Sequence, residues 1–228
     1  MALRIVSLDG LDPAAAAPFG GKAAGLARLR GMGAAVPDAV LVTATDRPPA
    51  SWSAGERSRL RSAAEPLLRR GRLAVRSSAI GEDSAQRSFA GLFESVLGVA
   101  DLDALEEAAA RCIASAASER VRAYVGTGPP IEVGLVVQRQ VEARAAGVCF
   151  TRDPTGADGA ILIEAVAGLG DRLVSGHARP QRWRVYLNGF GVLEARGEGP
   201  AVLEESEARA IACAARDLEA RHGHPVDL

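Results

Sequence analysis

Two hydrophobic rhythms alternate along the chain. Short β-branched runs such as "AVLVTA" (39–44), "LAVRSSA" (73–79) and "LFESVLGV" (92–99) carry the composition and length of buried strands. Between them lie longer stretches with helical spacing. A first helix is expected from Gly21 to the Gly31-Met32-Gly33 stop, with Leu26 and Leu29 inward. The stretch "PPASWSAGERSRLRSAAEPLLRRG" starts as loop and becomes an arginine-rich helix ending at Gly71, and a third helix, or a broken pair, covers roughly 101–125. The breaker cluster "TGPP" (127–130) sets the expected boundary between an N-terminal part, 1–128, and a C-terminal part, 129–228. Beyond it, "EVGLVVQRQV" (132–141), "AGVCFTR" (146–152) and "AILIEAV" (160–166) read as strands, and "RWRVYLNGFGVLEA" as a hairpin around Asn188-Gly189. A closing amphipathic helix spaces Ile211, Ala215 and Leu218 for one face. Strands and helices in unequal runs predict an α+β protein of two lobes rather than a regular βαβ array.

Composition narrows the partners. A formal net charge of −1 gives no reason to expect nucleic acid or an anionic membrane. No apolar run approaches the ~20 residues that span a bilayer, and the N-terminus has no signal-peptide pattern. Cys112, Cys149 and Cys213 are odd in number and far apart, which suits buried thiols in a reducing compartment better than disulfides or a zinc cluster. The expectation is a cytoplasmic protein.

The chain also has a peculiarity of charge: of its 27 basic residues, Lys22 alone is lysine. It stands in "GGK" at a helix start, where glycines allow close backbone approach, free N–H groups favour an anion, and a compact ammonium adds full charge. Further on, "VRSSAIGEDS" (75–84) ends a strand with Arg76, a fork suited to phosphate, and leads into a loop carrying Glu82 and Asp83. "SFAGLFES" (88–95) offers Gly91 for close approach, and "LIEAVAGLGDRLVSG" (162–176) holds Glu164 and Asp171 around a glycine-punctuated turn.

In order along the chain, GGKAAGL, VRSSAIGED, SFAGLFES, LVVQRQV, AGVCFTRDP and EAVAGLGDRLVSG resemble the motifs of the N-terminal nucleotide-binding domain of the pyruvate phosphate dikinase and phosphoenolpyruvate synthase family, to which rifampin phosphotransferase also belongs. The resemblance implies an ATP-grasp fold of two lobes with ATP in the cleft between them. It implies that Lys22 and Arg76 bind the ATP phosphates, that Gly91 lies in the loop covering them with Ser95 at the family's threonine, and that Gln138 stands beside the adenine. Glu164 and Asp171 match acidic positions without an assigned role.

There are departures. Leu92 replaces a loop glutamine, Asp171 a glutamate, and "RHGHPVDL" (221–228) resembles the stretch before the family's "EW" and "QSRP" segments, which complete its magnesium and phosphate site. The expectation is therefore a truncated domain that uses ATP and Mg2+ without an obvious carboxylate of its own for the metal. On this reading it passes phosphoryl groups to a histidine on a separate protein, either a phosphohistidine-domain partner or a complementing C-terminal subunit. Self-association is the expected outcome if an open sheet edge finds no partner. The alternatives are a catalytically impaired relic serving as a binding or scaffold subunit, and a direct small-molecule phosphotransferase. "SGHARP" (175–180) is similar to a phosphohistidine signature, but its surroundings place His177 within the nucleotide-binding domain. His222 and His224 read as a solvated helix end.

Overall fold

Alternation along Leu73–Ala79 (β3) sets the two faces of the first sheet: Leu73 and Val75 enter a core with the helices Ala54–Leu68 and Leu102–Ala114, while Ser78 faces the first helix. The computed structural model describes residues 3–81, 83–84, 87–88, 93–125, 131–156, 159–186, 191–195 and 201–228. It divides into two compact units, Met1–Val141 and Glu142–Leu228.

In the first unit the elements run Ile5–Ser7 (β1), Gly21–Gly31 (α1), Ala39–Thr45 (β2), Ala54–Leu68 (α2), β3, the two-residue strands Asp83–Ser84 (β4) and Arg87–Ser88 (β5), Ser95–Val99 (β6), Leu102–Ala114 (α3), Glu119–Val125 (α4) and Val133–Arg139 (β7). The sheet order is β1-β2-β7-β3-β6, and each neighbouring pair is antiparallel. β7 is hydrogen-bonded on both sides, to β2 and to β3. The unit therefore ends at Val141, beyond the 127–130 cluster, because removing β7 would split its sheet. On one face Val40, Val42, Leu73, Val75, Leu135 and Val137 pack with α2 and α3. On the other, Ala39, Leu41 and Val136 pack with Ala23 and Ala27 of α1.

The buried positions of α1 are Ala23 and Ala27, while Leu26 packs only partly. The expected leucine face is thus corrected to an alanine one. Physically, the segment leading into α1 lies too close to the sheet for larger side chains. A Cβ on Gly134 would come within 2.5 Å of the Phe19 carbonyl, and one on Gly20 within 2.1 Å of the Ser78 carbonyl. Gly20, at φ +90°, adopts a conformation that L side chains resist.

The second unit is a four-stranded antiparallel sheet of order β11-β10-β9-β8, built from Ala145–Phe150 (β8), Ile161–Ala167 (β9), Gln181–Tyr186 (β10) and Gly191–Ala195 (β11). The short helix Asp171–Val174 (α5) follows β9, and Glu205–His222 (α6) lays Ala208, Ala212 and Ala215 against Cys149, Ile161, Ile163, Trp183 and Val185. The edge of β8 pairs with the last residues, through reciprocal 2.9 Å bonds between Cys149 and Leu228 and a 3.1 Å bond from Thr151 N–H to the Val226 carbonyl.

Candidate functional site

Arg76 stands in the middle of β3, directly opposite Ser95 on one neighbour and Val136 on the other. Directly opposed residues of an antiparallel pair project to the same face. Since Val136 packs against α1, Arg76 and Ser95 belong to the face that α1 covers. Gln138, two residues after Val136, shares that face and lies opposite Ala74 and Ala39. Lys22 is the second residue of α1. The structure thus brings Lys22, Arg76, Ser95 and Gln138 to one side of one sheet, although they are up to 116 positions apart in sequence (138 − 22).

Gln138 is buried, and its side-chain amide donates to the Pro37 carbonyl at 3.1 Å. That bond ties β7 to the segment before β2. Ser95 is exposed at the start of β6. Gly91 and Leu92 lie outside the described residues, as does Glu82.

Two residues that the motif analysis passed over hold this arrangement together. Ser78 is fully buried, and its Oγ accepts the Ala23 N–H at 3.1 Å, so the first turn of α1 is pinned to β3 two residues from Arg76. Ser77 points to the opposite face, where its hydroxyl donates to the Glu94 carbonyl at 2.7 Å. The Ser77 N–H reaches the same carbonyl at 3.2 Å, and Glu94 N–H in turn donates to Ser115 Oγ at 3.2 Å. Ser115 closes the circuit by donating to the Cys112 carbonyl at 2.6 Å. The signal was in the sequence all the same: consecutive serines in a strand must face opposite sides.

The two acidic candidates of the second unit are differently placed. Glu164, in β9, forms an ion pair with Arg182 across the ladder to β10. Asp171 opens α5 as an exposed first-turn acid. His177 is exposed, with Nδ1 2.8 Å from Ser175 Oγ. His222 and His224 stack edge-to-face where α6 ends at Gly223, which adopts the left-handed conformation.

A lysine in the first turn of α1 and a strand arginine on the face that helix covers suit a polyphosphate, whose charge the ammonium and guanidinium would neutralise. The magnesium implied by the resemblance is less well provided for. Among the described residues, no group of three or more His, Cys, Asp or Glu is arranged to hold a metal ion. The described side chains thus supply no complete ligand set for a metal by themselves.

Comparison with known proteins bears directly on this arrangement. Residues 52–201 match the pyruvate phosphate dikinase AMP/ATP-binding domain family. The chain belongs to this family. The matched span contains Arg76, Gly91, Ser95 and Gln138 and begins after Lys22, so the place of Lys22 in the site rests on the docking of α1. Similar proteins include a rifampicin phosphotransferase from a Streptomyces species, 33% identical over 182 residues, or 68% of this chain. A probable phosphoenolpyruvate synthase from Staphylothermus marinus is 42% identical over 119 residues, 50% of the chain. A prodigiosin synthesizing transferase from Serratia marcescens is 42% identical over 106 residues, 46% of the chain. The chain spans only 21%, 14% and 12% of these relatives' own lengths. Membership of the dikinase family agrees with the α+β architecture and with an ATP-grasp kind of fold. Among the described residues, no helix is long and apolar enough to cross a membrane.

Proposed function

We propose that this chain is the ATP-binding part of a dikinase-type phosphotransferase, acting in the cytoplasm and handing phosphoryl groups to a histidine on a separate protein. The observation that carries the reading is the convergence of Arg76, Ser95 and Gln138, all within the family match, on the sheet face where the Lys22 helix is docked.

In this reading Lys22 and Arg76 hold the phosphate oxygens and Gln138 stands beside the base. The partner's imidazole nitrogen attacks the β-phosphorus, the bond between that phosphorus and the α–β bridging oxygen breaks, and the electron pair leaves on AMP. Water then attacks the γ-phosphorus of the resulting pyrophosphohistidine, releasing phosphate and leaving a phosphohistidine. AMP and phosphate are thus the products released from ATP and water. The protein's contribution is positioning and charge neutralisation: a fixed ammonium and guanidinium stabilise charge that water would otherwise have to reorganise around. Magnesium, when bound with ATP, supplies further neutralisation of the phosphates.

The similarity to a rifampicin phosphotransferase over 68% of the chain favours a second reading, in which the final acceptor is a small molecule. The two are separated by purifying the tagged chain from its own cells together with whatever accompanies it, and adding ATP labelled in the β- or γ-phosphate. Acid-labile, base-stable label on a histidine of a co-purifying protein supports the proposal. Label that passes only to a small molecule supports the second reading, and an ATP pool left intact by the whole assembly contradicts both.

A further inference from the structure

We infer that Ser77 and Ser78 are positioning residues of the nucleotide site, a pair of latches that fix two separate elements relative to Arg76. The inference rests on the reading of Lys22 and Arg76 as phosphate ligands.

The two serines are adjacent, and both are buried, at 1% and 0% exposure, in a strand where neighbours face opposite ways. Ser78 works toward α1. Its Oγ accepts the Ala23 N–H, and the backbone of Gly20 lies so near that a Cβ there would fall 2.5 Å from the Ser78 Oγ. Lys22 lies between these two contacts and inherits its placement from them. Ser77 works toward α3. With its N–H and hydroxyl both directed at the Glu94 carbonyl, and Glu94 N–H directed at Ser115, it clamps the residue just before Ser95. Cys112 lends its thiol to the same region, 3.4 Å from the Val75 carbonyl and 3.5 Å from that of Glu94. Ser95 is then held directly across from Arg76.

A buried hydroxyl could be explained by strand satisfaction alone, but these strands already satisfy each other. Ser77 and Ser78 lie opposite Leu135 and Gly134 in the β3–β7 ladder, so their hydroxyls are surplus to sheet pairing. Each instead reaches a different element that delivers a site residue. Small errors in such placement weaken a phosphate contact severely, because charge-assisted hydrogen bonds need both distance and direction.

The test is a double-mutant cycle on ATP affinity in the full chain, with amide exchange read by NMR. Ser78→Ala should weaken ATP binding about five- to tenfold and speed exchange of the Ala23 amide. In a Lys22→Ala background it should add little, because its effect passes through Lys22. Ser77→Ala should behave in the same way toward Ser95→Ala. If either serine variant fails to fold, the unaltered chain still decides: without nucleotide, its Ala23 amide should exchange slowly for a first-turn position, and exchange at the rate of an open helix end overturns the latch. Full additivity with Lys22→Ala, or unchanged affinity in Ser78→Ala while Lys22→Ala binds weakly, overturns the positioning role alone. Unchanged affinity in Lys22→Ala and Arg76→Ala overturns the site itself and the inference with it.

Discussion

Asp153 has no exposed side-chain surface, yet it is charged and fully occupied. Its Oδ1 accepts from the Thr155 N–H at 2.7 Å and the Thr155 hydroxyl at 2.6 Å, and Oδ2 accepts from Arg184 Nε at 2.8 Å. Burial alone would raise its pKa, but the Thr155 and Arg184 bonds outweigh it and hold the carboxyl below its usual 3.8. A carboxyl depressed in the folded state stabilises above its unfolded pKa, and that support is lost as pH falls through the folded value. Asp153→Ala should cost about 2–3 kcal/mol, less than a fully buried pair because Arg184 can turn to water; unfolding in urea at pH 7 measures it. Asp153→Ala should also unfold with a flatter dependence on pH below 4 than the parent. The cysteines make a second test. Burial pushes the Cys112 and Cys149 thiols up to about 11, while Cys213 is exposed. Native protein treated with iodoacetamide at pH 8 should be alkylated at Cys213 and spared at the other two, as peptide mass spectrometry can show. Motif reading singled out Lys22 and Arg76 because charge beside glycine is chemically conspicuous. It passed over Ser77 and Ser78, whose value lies in partners 55 and 17 residues away.

At the scale of elements, α2 shows how a local signal and a tertiary one combine. Ser53 and Glu56 form a capping box, and Glu56 also accepts from Arg47 at 2.9 Å and from the Leu3 N–H at 3.3 Å, tying the helix start to the chain's beginning. The Ser53 backbone bond first, then Arg47, hold the Glu56 carboxyl down to about 2 against an ordinary 4.5. Its stabilisation is therefore present above pH 4.5 and fades as pH falls toward 2. Glu56→Gln should lose stability at pH 7 and narrow its gap to the parent in acid, measured by thermal unfolding across that range. Strand positions were legible from β-branched runs: "LAVRSSA" is β3 residue for residue, and the broken helical pair became α3 and α4. The inner face of α1 was not legible, since alanine carries little hydrophobic signal, and the close approach permitted by Gly20 and Gly134 comes from long-range packing. The first compact unit likewise runs past the 127–130 breaker cluster to take in β7. A turn marks where a chain bends, whereas pairing on both flanks decides where β7 belongs.

Over the whole molecule, a chain with net charge −1 gathers its one lysine, a strand arginine and polar side chains on a single sheet face. That concentration, rather than overall charge, is what recommends it to a polyphosphate. The central claim is that this face binds ATP through Lys22 and Arg76, and isothermal calorimetry of ATP binding to the parent, Lys22→Ala, Lys22→Arg and Arg76→Ala tests it most directly. The account predicts measurable affinity in the parent, a loss of roughly 2–3 kcal/mol in each alanine variant, and impaired binding in Lys22→Arg, whose fork is bulkier than the ammonium it replaces. Equal ATP affinity in all four proteins would contradict it.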